Sequence, residues 1–232
     1  MIKLYQFKRT WGIPNLSPFC CKTETYLRMA SIEYEMVAAL PTGAPKGKLP
    51  YIDDEGKVIA DSHYIVAYLK SAHNDLDSTQ RAVALAMQHL LEGHLLWCAL
   101  YSRWMYTDQN WQTNRKAIFG GLPPIIRDIV AMITRRKIRQ QITGQGMGRH
   151  LTEEIFTLSK QDIDALSDFL GDKPYFFGDQ PTSLDACAYG MLINIIGCPI
   201  ESPLKQHGLT KDNLKGYVDR ISQTYYPDLQ KA

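Results

Sequence analysis

The stretch that decides the fold is residues 47–63, which have the sequence GKLPYIDDEGKVIADSH. Two short apolar runs, at 49–52 and 58–60, flank a turn-prone Asp-Asp-Glu-Gly cluster, which predicts a β-hairpin. Asp61 and Ser62 then form an N-cap signal ahead of apolar positions at helical spacing, so a helix is expected to follow the hairpin. Pro50 cannot donate to a strand ladder, so it belongs at an edge or strand beginning, or has a special peptide bond.

Two properties of this stretch suggest a ligand. A strand that begins with proline turns the backbone N–H and C=O of Leu49 outward, where an extended peptide can pair with them. The N-terminus of the helix at Asp61 and Ser62 offers free N–H groups and a positive dipole end to a carboxylate. Together they are suited to a short acidic peptide. The alternative is a purely structural hairpin followed by a capped helix.

The rest of the chain divides into an α/β part and an all-helical part. Strands at 2–7 and 33–37 and a helix that begins at Ser17-Pro18 precede the hairpin. We therefore predict an α/β domain at 1–73, a polar linker at 74–78 and an all-helical domain at 79–232. Helices are expected at 79–106, from the Gly-Gly-Leu-Pro-Pro segment to 141, and at 151–170, 186–196 and 213–224. Thr182 and Asp185 form a predicted capping box.

Composition excludes several classes of function. The chain has 232 residues, is 45% hydrophobic and 22% charged, and has a net charge of +2, so nothing in it favours nucleic acid. Its N-terminus lacks the apolar core of a signal peptide, and the run at 187–200 is too short to span a bilayer. The five cysteines have no disulfide framework or metal-ligand spacing. We expect a cytoplasmic protein with no metal and no membrane insertion.

Four segments carry a family resemblance: LSPFCCKTETYLRMA at 16–30, GKLPYI at 47–52, ADSH at 60–63 and KPYFFGD at 173–179. They resemble the glutathione transferase superfamily, and within it the metaxin and failed axon connections group with its bacterial relatives. The resemblance covers the whole chain. It implies a thioredoxin-like N-terminal domain, an all-helical C-terminal domain, glutathione as co-substrate, a small hydrophobic electrophile and a homodimer.

Two residues are candidates for the chemistry. Ser17-Pro18-Phe19-Cys20 occupies the place of the Cys-x-x-Cys motif of thioredoxin-like folds, with serine in place of the attacking cysteine. Ser17 is therefore predicted to donate a hydrogen bond to the thiolate of bound glutathione, aided by the helix dipole. Cys20, one turn into the helix, is the alternative nucleophile. The simpler alternatives are an N-cap serine and a buried structural thiol.

The resemblance also assigns the tripeptide contacts. Leu49 matches the backbone partner of the cysteinyl unit, Pro50 matches the cis-proline, and Asp61 with Ser62 matches the γ-glutamyl binders. Lys48 is placed near the glycine carboxylate, or else is a solvated lysine.

Aromatic side chains at helical spacing suggest a pocket for the electrophile. Trp97, Tyr101 and Trp104 share a helix face, and Trp11 and Trp111 are further candidates for its walls. The alternative is that these side chains belong to the core. A basic run at 135–139 is either solvated or meets an anionic partner. The resemblance implies a glutathione-dependent transferase or peroxidase, or alternatively a non-catalytic binding or sorting module.

Overall fold

The computed structural model describes residues 1–69 and 76–229. Its N-terminal part is a four-stranded sheet with strand order β2-β1-β3-β4. Strand β1 pairs in parallel with β2, and the β1–β3 and β3–β4 pairs are antiparallel. The elements are β1 (Ile2–Gln6), α1 (Pro18–Met29), β2 (Tyr34–Ala38), β3 (Tyr51–Asp54), β4 (Lys57–Ala60) and α2 (Ser62–Leu69).

This α/β part is organised as the hairpin predicts. Strands β3 and β4 pair from Tyr51 opposite Ala60 to Asp54 opposite Lys57, and the Asp-Asp-Glu-Gly cluster makes the turn. Its core contains the fully buried side chains of Leu4, Leu27, Ile52 and Ile65, from β1, α1, β3 and α2. Two strands and two helices therefore share one core. This core holds the end of β1 beside the start of β3, where the loop to α1 and the segment before β3 meet.

The described C-terminal part is all-helical. A continuous helical rod comprises α3 (Ser78–His89), a π-helical segment (Leu90–Leu95), α4 (Leu96–Tyr101) and a second π-helical segment (Ser102–Tyr106). The remaining helices are α5 (Asp108–Phe119), α6 (Pro124–Gln145), α7 (Thr152–Leu170), α8 (Ser183–Ile196), α9 (Pro203–Leu209) and α10 (Asp212–Tyr225). The predicted α/β domain followed by an all-helical domain is thus confirmed. The predicted boundary at residue 73 and residues 74 and 75 of the predicted linker lie outside the described residues, and α3 begins at the last linker residue, Ser78.

Several element predictions need correction. Helices α5 and α9 were not predicted, and α6 continues through Gly144 to Gln145 instead of ending near 141. The turn at the end of α6 is made by Gly146, whose φ of 116° suits a residue without a Cβ. The sequence predicts one helix at 79–106, and the structure divides the rod into α3, α4 and the two π-helical segments.

The capping box at the start of α8 is confirmed, and its Asp185 is fully buried. The Asp185 carboxylate accepts from the backbone N–H of Thr182 at 2.7 Å and from its hydroxyl at 2.9 Å. It also accepts from the N–H of Phe176 at 3.0 Å and from the hydroxyl of Tyr217 at 3.2 Å. One carboxylate therefore ties the start of α8 to the preceding loop and to α10.

The two parts of the chain pack through α1 and α8. Gly190 of α8 lies so close to α1 that a Cβ there would come within 2.6 Å of the carbonyl oxygen of Pro18. Lys22 of α1 also pairs with Glu92 of the first π-helical segment at 2.6 Å. The N-terminus of α1 is thus held directly against the helical domain.

Among the described residues, the rod Ser78–Tyr106 is long and apolar enough to cross a membrane by length and composition alone. Its residues pack against α6, α7 and α8. Helices α5 and α6 reach the same hydropathy together, but the chain turns through 118° between them.

Candidate functional site

Three predicted site segments lie at one end of the two central strands, β1 and β3, an end that we call the sheet edge. Tyr5, near the end of β1, pairs with Tyr51 at the start of β3, and their rings stack with centroids 4.3 Å apart. The loop after β1 leads to Ser17, and the segment before β3 contains Leu49 and Pro50. The backbone N–H of Asp61 donates to the carbonyl oxygen of Pro50 at 3.3 Å, which joins the start of α2 to the same edge.

Ser17 is the N-cap of α1. Its hydroxyl oxygen accepts from the backbone N–H of Cys20 at 3.4 Å, and Pro18 is the first helical residue. The side chain is partly exposed. Because the oxygen acts as the acceptor in the cap, the hydroxyl proton remains for a ligand. The cap role and the predicted donor role are therefore compatible.

The loop that carries Ser17 is held from both domains. Asn15 accepts from the Ser17 N–H at 3.1 Å and donates to the carbonyl oxygen of Phe7 at 2.7 Å. From the helical domain, Arg103 donates to the carbonyl oxygen of Leu16 at 2.6 Å, and Asn194 donates to that of Asn15 at 3.0 Å. Sequence reasoning missed Arg103 and Asn194 because no local pattern connects residues this far apart, and it also missed Asn15, whose contact with the Ser17 N–H is local.

Cys20 has no exposed surface. Burial raises the pKa of its thiol to about 12. All five cysteines are free and buried. A thiol of this kind is protonated at neutral pH and is inert as a nucleophile.

The peptide bond between Leu49 and Pro50 is cis. The Leu49 side chain is buried, and no hydrogen bond among the described residues uses its backbone N–H or C=O. Lys48, the preceding residue, is exposed. The backbone of Leu49 thus retains its capacity to pair with an extended ligand.

Asp61 and Ser62 form the start of α2 as predicted. The Asp61 carboxylate accepts from the N–H of His63 at 2.9 Å. Its φ of 86° is uncommon for a residue other than glycine, and such conformations cluster at functional sites. Ser62 is buried, and its hydroxyl has no partner in the hydrogen bonds of the described residues.

The predicted aromatic residues of the helical rod pack against different elements, and their role in an electrophile pocket stays a prediction. Trp104 packs against Trp111, with ring centroids 5.6 Å apart, in a buried cluster to which α5 and α6 contribute side chains. Tyr101 points to α7, where its hydroxyl lies 2.7 Å from that of Thr152. Trp97 packs on the helical core.

Among the predicted pocket residues, Trp11 is the nearest in sequence to Ser17. Trp11 lies in the loop before α1 and is partly buried. The guanidinium of Arg103 lies over its ring, 4.9 Å from the ring centroid. Of the predicted pocket residues, Trp11 therefore has the best-supported position for contact with a second substrate. Its role stays a prediction.

A potential metal-binding group lies elsewhere, in the helical domain. Donor atoms of His94, Cys98 and Asp162 are all within 4.8 Å of one another. His94 Nδ1 and Asp162 Oδ2 already form a hydrogen bond of 2.6 Å, and Cys98 contacts the sulfur of Met147 at 3.8 Å. These partners satisfy the group without an ion. The prediction that the protein needs no metal stays a prediction.

Comparisons with known proteins agree with this geometry. Residues 18–110 match the glutathione S-transferase N-terminal domain, and residues 159–221 match the glutathione S-transferase C-terminal domain. The isoprene-epoxide glutathione S-transferase of Rhodococcus sp. (strain AD45) is 38% identical, with 97% of this chain and 99% of that protein aligned. The chain therefore belongs to the glutathione S-transferase family.

The relatives also include the group that the sequence indicated. Failed axon connections of Drosophila melanogaster is 37% identical over 98% of this chain, which spans 59% of that protein. Metaxin-2 of Mus musculus is 27% identical, over 90% of this chain and 82% of that protein. Among solved structures, the glutathione S-transferase of Ceriporiopsis subvermispora in complex with glutathione has a TM-score of 0.65 at 19% identity, with 96% of this chain and 97% of that one covered.

Proposed function

We propose that the protein is a glutathione transferase that activates the thiol of bound glutathione and adds it to a small electrophile. The observation that carries the proposal is the partly exposed Ser17 hydroxyl at the N-terminus of α1, beside a Cys20 thiol whose pKa burial raises to about 12. The protein's own thiol is disfavoured, so the attacking sulfur is supplied by glutathione.

The proposed binding mode uses the sheet edge. The cysteinyl unit of glutathione pairs with the Leu49 backbone, and the γ-glutamyl unit meets Asp61 and Ser62 at the start of α2. Lys48 directly precedes Leu49 and its side chain is exposed, so we place it at the glycine carboxylate of glutathione. This arrangement points the thiol towards the N-terminus of α1.

Ser17 and the dipole of α1 then stabilise the thiolate. A pKa decrease of two units requires about 2.7 kcal/mol of preferential stabilisation of the anion. A charge-assisted hydrogen bond and a helix N-terminus together supply an amount of that order.

A small epoxide is the electrophile class that we propose, because the relative at 38% identity is an isoprene-epoxide glutathione S-transferase. The thiolate attacks one epoxide carbon, so a carbon–sulfur bond forms as a carbon–oxygen bond breaks. The epoxide oxygen then takes a proton from water, and the product is a hydroxy thioether. We place Trp11 at this substrate, since it lies in the loop that leads to Ser17.

The test compares wild type with Ser17→Ala, and with Ser202→Ala as matched control. Ser202 caps α9 by accepting from the N–H of Lys205 at 3.2 Å, so its loss removes a cap of the same kind away from the site. We expect Ser17→Ala to raise the pKa of the bound thiol, measured by thiolate absorbance, and to reduce turnover of a small terminal epoxide. Calorimetric affinity for glutathione should remain nearly unchanged in both variants.

The similarity to failed axon connections and metaxin-2 supports a second candidate, a non-catalytic binding module. If wild type shows no thiolate shift and no turnover with epoxides, hydroperoxides or chlorinated aromatics, that candidate replaces the first. Retention on immobilised glutathione, with elution by free glutathione, tests the binding site separately from the chemistry.

A further inference from the structure

An unusually apolar surface lies on the first half of α6, far from the predicted glutathione site in sequence. Its side chains are all exposed and are Ile125, Ile126, Ile129, Val130, Met132 and Ile133. With 3.6 residues per turn, Ile125, Ile129 and Met132 lie within about 60° of one another around the helix axis. Contiguous exposed apolar surface of this kind marks an interaction site.

Arginines continue this surface towards the end of α6. Arg136 and Arg139 are exposed, and no carboxylate of the described residues forms an ion pair with either. Together with Arg115, Arg135 and Trp111 they line a cleft of about 720 Å³ between α5 and α6. Partial burial and the nearby charge of Arg139 lower the pKa of Arg135.

The charge of the whole α5–α6 hairpin differs from that of the rest of the chain. Residues 108–145 contain seven Lys or Arg and two Asp side chains, so their net charge is +5, whereas the complete chain has +2. The cations are concentrated beside the apolar surface. An anionic partner with an apolar layer is complementary to both features.

A second copy of the chain is less suitable. A two-fold contact through α6 would put the same surface on both sides, so two hairpins of charge +5 would face each other. An anionic bilayer has the opposite charge, and its acyl layer accepts isoleucine and methionine side chains.

We propose that the α5–α6 hairpin is a binding site for anionic membrane surfaces. The first half of α6 lies in the plane of the interface, with Ile125, Ile129 and Met132 at the acyl boundary. Arg136 and Arg139 bind lipid phosphates. Arg136 lies about 10 Å further along the helix axis than Ile129 and on the same face, so a helix that lies flat presents the apolar side chains and the arginines to one membrane surface. The chain then binds to the surface without spanning it.

The experiment is co-sedimentation of the full chain with vesicles of phosphatidylglycerol and phosphatidylcholine, compared with vesicles of phosphatidylcholine alone. We expect binding to the anionic vesicles only, and weaker binding as salt increases. Ile129→Ser with Met132→Ser should weaken it at least about tenfold, because apolar contact is lost. Arg136→Gln with Arg139→Gln should weaken binding about 30-fold, because each basic residue near an anionic surface contributes about 1 kcal/mol of binding free energy.

Two matched controls sit on other helices. Leu151→Ser removes an exposed apolar side chain next to α7, and Lys160→Gln removes an exposed cation on α7; neither should alter vesicle binding. Binding that is absent, equal on both vesicles, or unchanged in the hairpin variants would overturn the proposal.

Sedimentation velocity shows whether the apolar face instead joins two copies, in which case Ile129→Ser with Met132→Ser would convert a dimer to a monomer. Glutathione binding is measured separately, so failure here leaves the proposed function untouched.

Discussion

The guanidinium of Arg103 lies 2.6 Å from the carbonyl oxygen of Leu16, although 87 residues separate the two in the chain. Arg103 is buried, extends from the second π-helical segment, and donates also to the Asn194 side chain at 2.9 Å. Its hydrogen bond to Leu16 fixes the backbone that immediately precedes Ser17. A residue of the helical domain thus positions the proposed thiolate donor of the α/β domain.

Arg103→Gln should therefore change the chemistry as well as the stability. Buried carbonyl groups lose a donor, so the free energy of unfolding should fall by about 1–3 kcal/mol. The pKa of the thiol of bound glutathione should rise, because Ser17 is less well placed and a nearby positive charge is lost. The measurement is turnover against pH, together with thiolate absorbance.

Two variants separate positioning from general damage. Arg103→Lys keeps the charge but loses the planar fork, so it should preserve more of the thiol pKa than Arg103→Gln does. Arg220→Gln removes another arginine that donates to a carbonyl oxygen, that of Pro174 at 2.7 Å, and should leave the thiol unaffected. If the bound thiol has the wild-type pKa in Arg103→Gln, the positioning role is wrong.

Gly190 provides a test of the domain contact. A Cβ at this position would lie 2.6 Å from the carbonyl oxygen of Pro18 and 2.9 Å from the backbone nitrogen of Lys22, so Gly190→Ala must displace α1. Overpacking of this kind costs about 1–3 kcal/mol of unfolding free energy. Displacement of α1 should also move Ser17 and reduce turnover.

Gly216→Ala in α10 is the matched control for that change. No atom lies within 4 Å of a Cβ built there. Alanine has the higher helix propensity, so the variant should be more stable than wild type by up to about 1 kcal/mol. Denaturant unfolding measures both variants, and equal stability of the two would argue against a tight α1–α8 contact.

The local parts of this molecule were predictable from sequence because their signals are local. The hairpin, the N-caps at Ser17 and Asp61, and the capping box at Asp185 each depend on residues a few positions apart. The hairpin and the two N-caps belong to the α/β fold and the predicted tripeptide contacts, and the capping box begins a helix of the helical domain. For Pro50 the residues alone left a special peptide bond as one alternative, and the family resemblance implied the cis form.

The missed features depend on distant partners. Arg103 and Asn194 contact the loop before Ser17 only because α1 packs against α8, and neither contact leaves a pattern in the sequence. The contacts of the aromatic stripe on the helical rod also depend on distant partners. Trp104 and Tyr101 lie close on one helix, but α5 supplies the partner of one and α7 the partner of the other.

Asp61→Asn tests the γ-glutamyl contact without disturbing the backbone. Asparagine keeps an oxygen for the cap on His63 and tolerates positive φ, so the variant removes only the charge. Loss of a charge-assisted bond should weaken glutathione affinity by about 1–3 kcal/mol, measured by calorimetry. Ser62→Ala should lose a similar amount.

Asp53→Asn is the corresponding control, since the Asp53 carboxylate accepts from the N–H of Gly56 at 2.7 Å in the hairpin turn. Its glutathione affinity should equal that of wild type. Unchanged affinity in both Asp61→Asn and Ser62→Ala would remove the start of α2 from the proposed site.

Ser17→Cys gives the sharpest test of which sulfur acts. The variant restores Cys-Pro-Phe-Cys at the start of α1, where the helix dipole stabilises a thiolate. With oxidised glutathione, the new thiolate attacks one sulfur of the disulfide, forms a mixed disulfide and releases one glutathione thiolate. Mass spectrometry should detect this adduct, and conjugation to epoxides should fall because the hydroxyl donor is gone.

Cys20 decides what happens next in that variant. Burial raises its pKa to about 12, so it should resolve the mixed disulfide slowly, and the adduct should persist in Ser17→Cys as it does in Ser17→Cys with Cys20→Ser. Wild type and Cys20→Ser alone should form no adduct, since the five native thiols are buried. A mixed disulfide on wild type that disappears in Cys20→Ser would instead identify Cys20 as the nucleophile, and Ser17 would be left with its cap role alone.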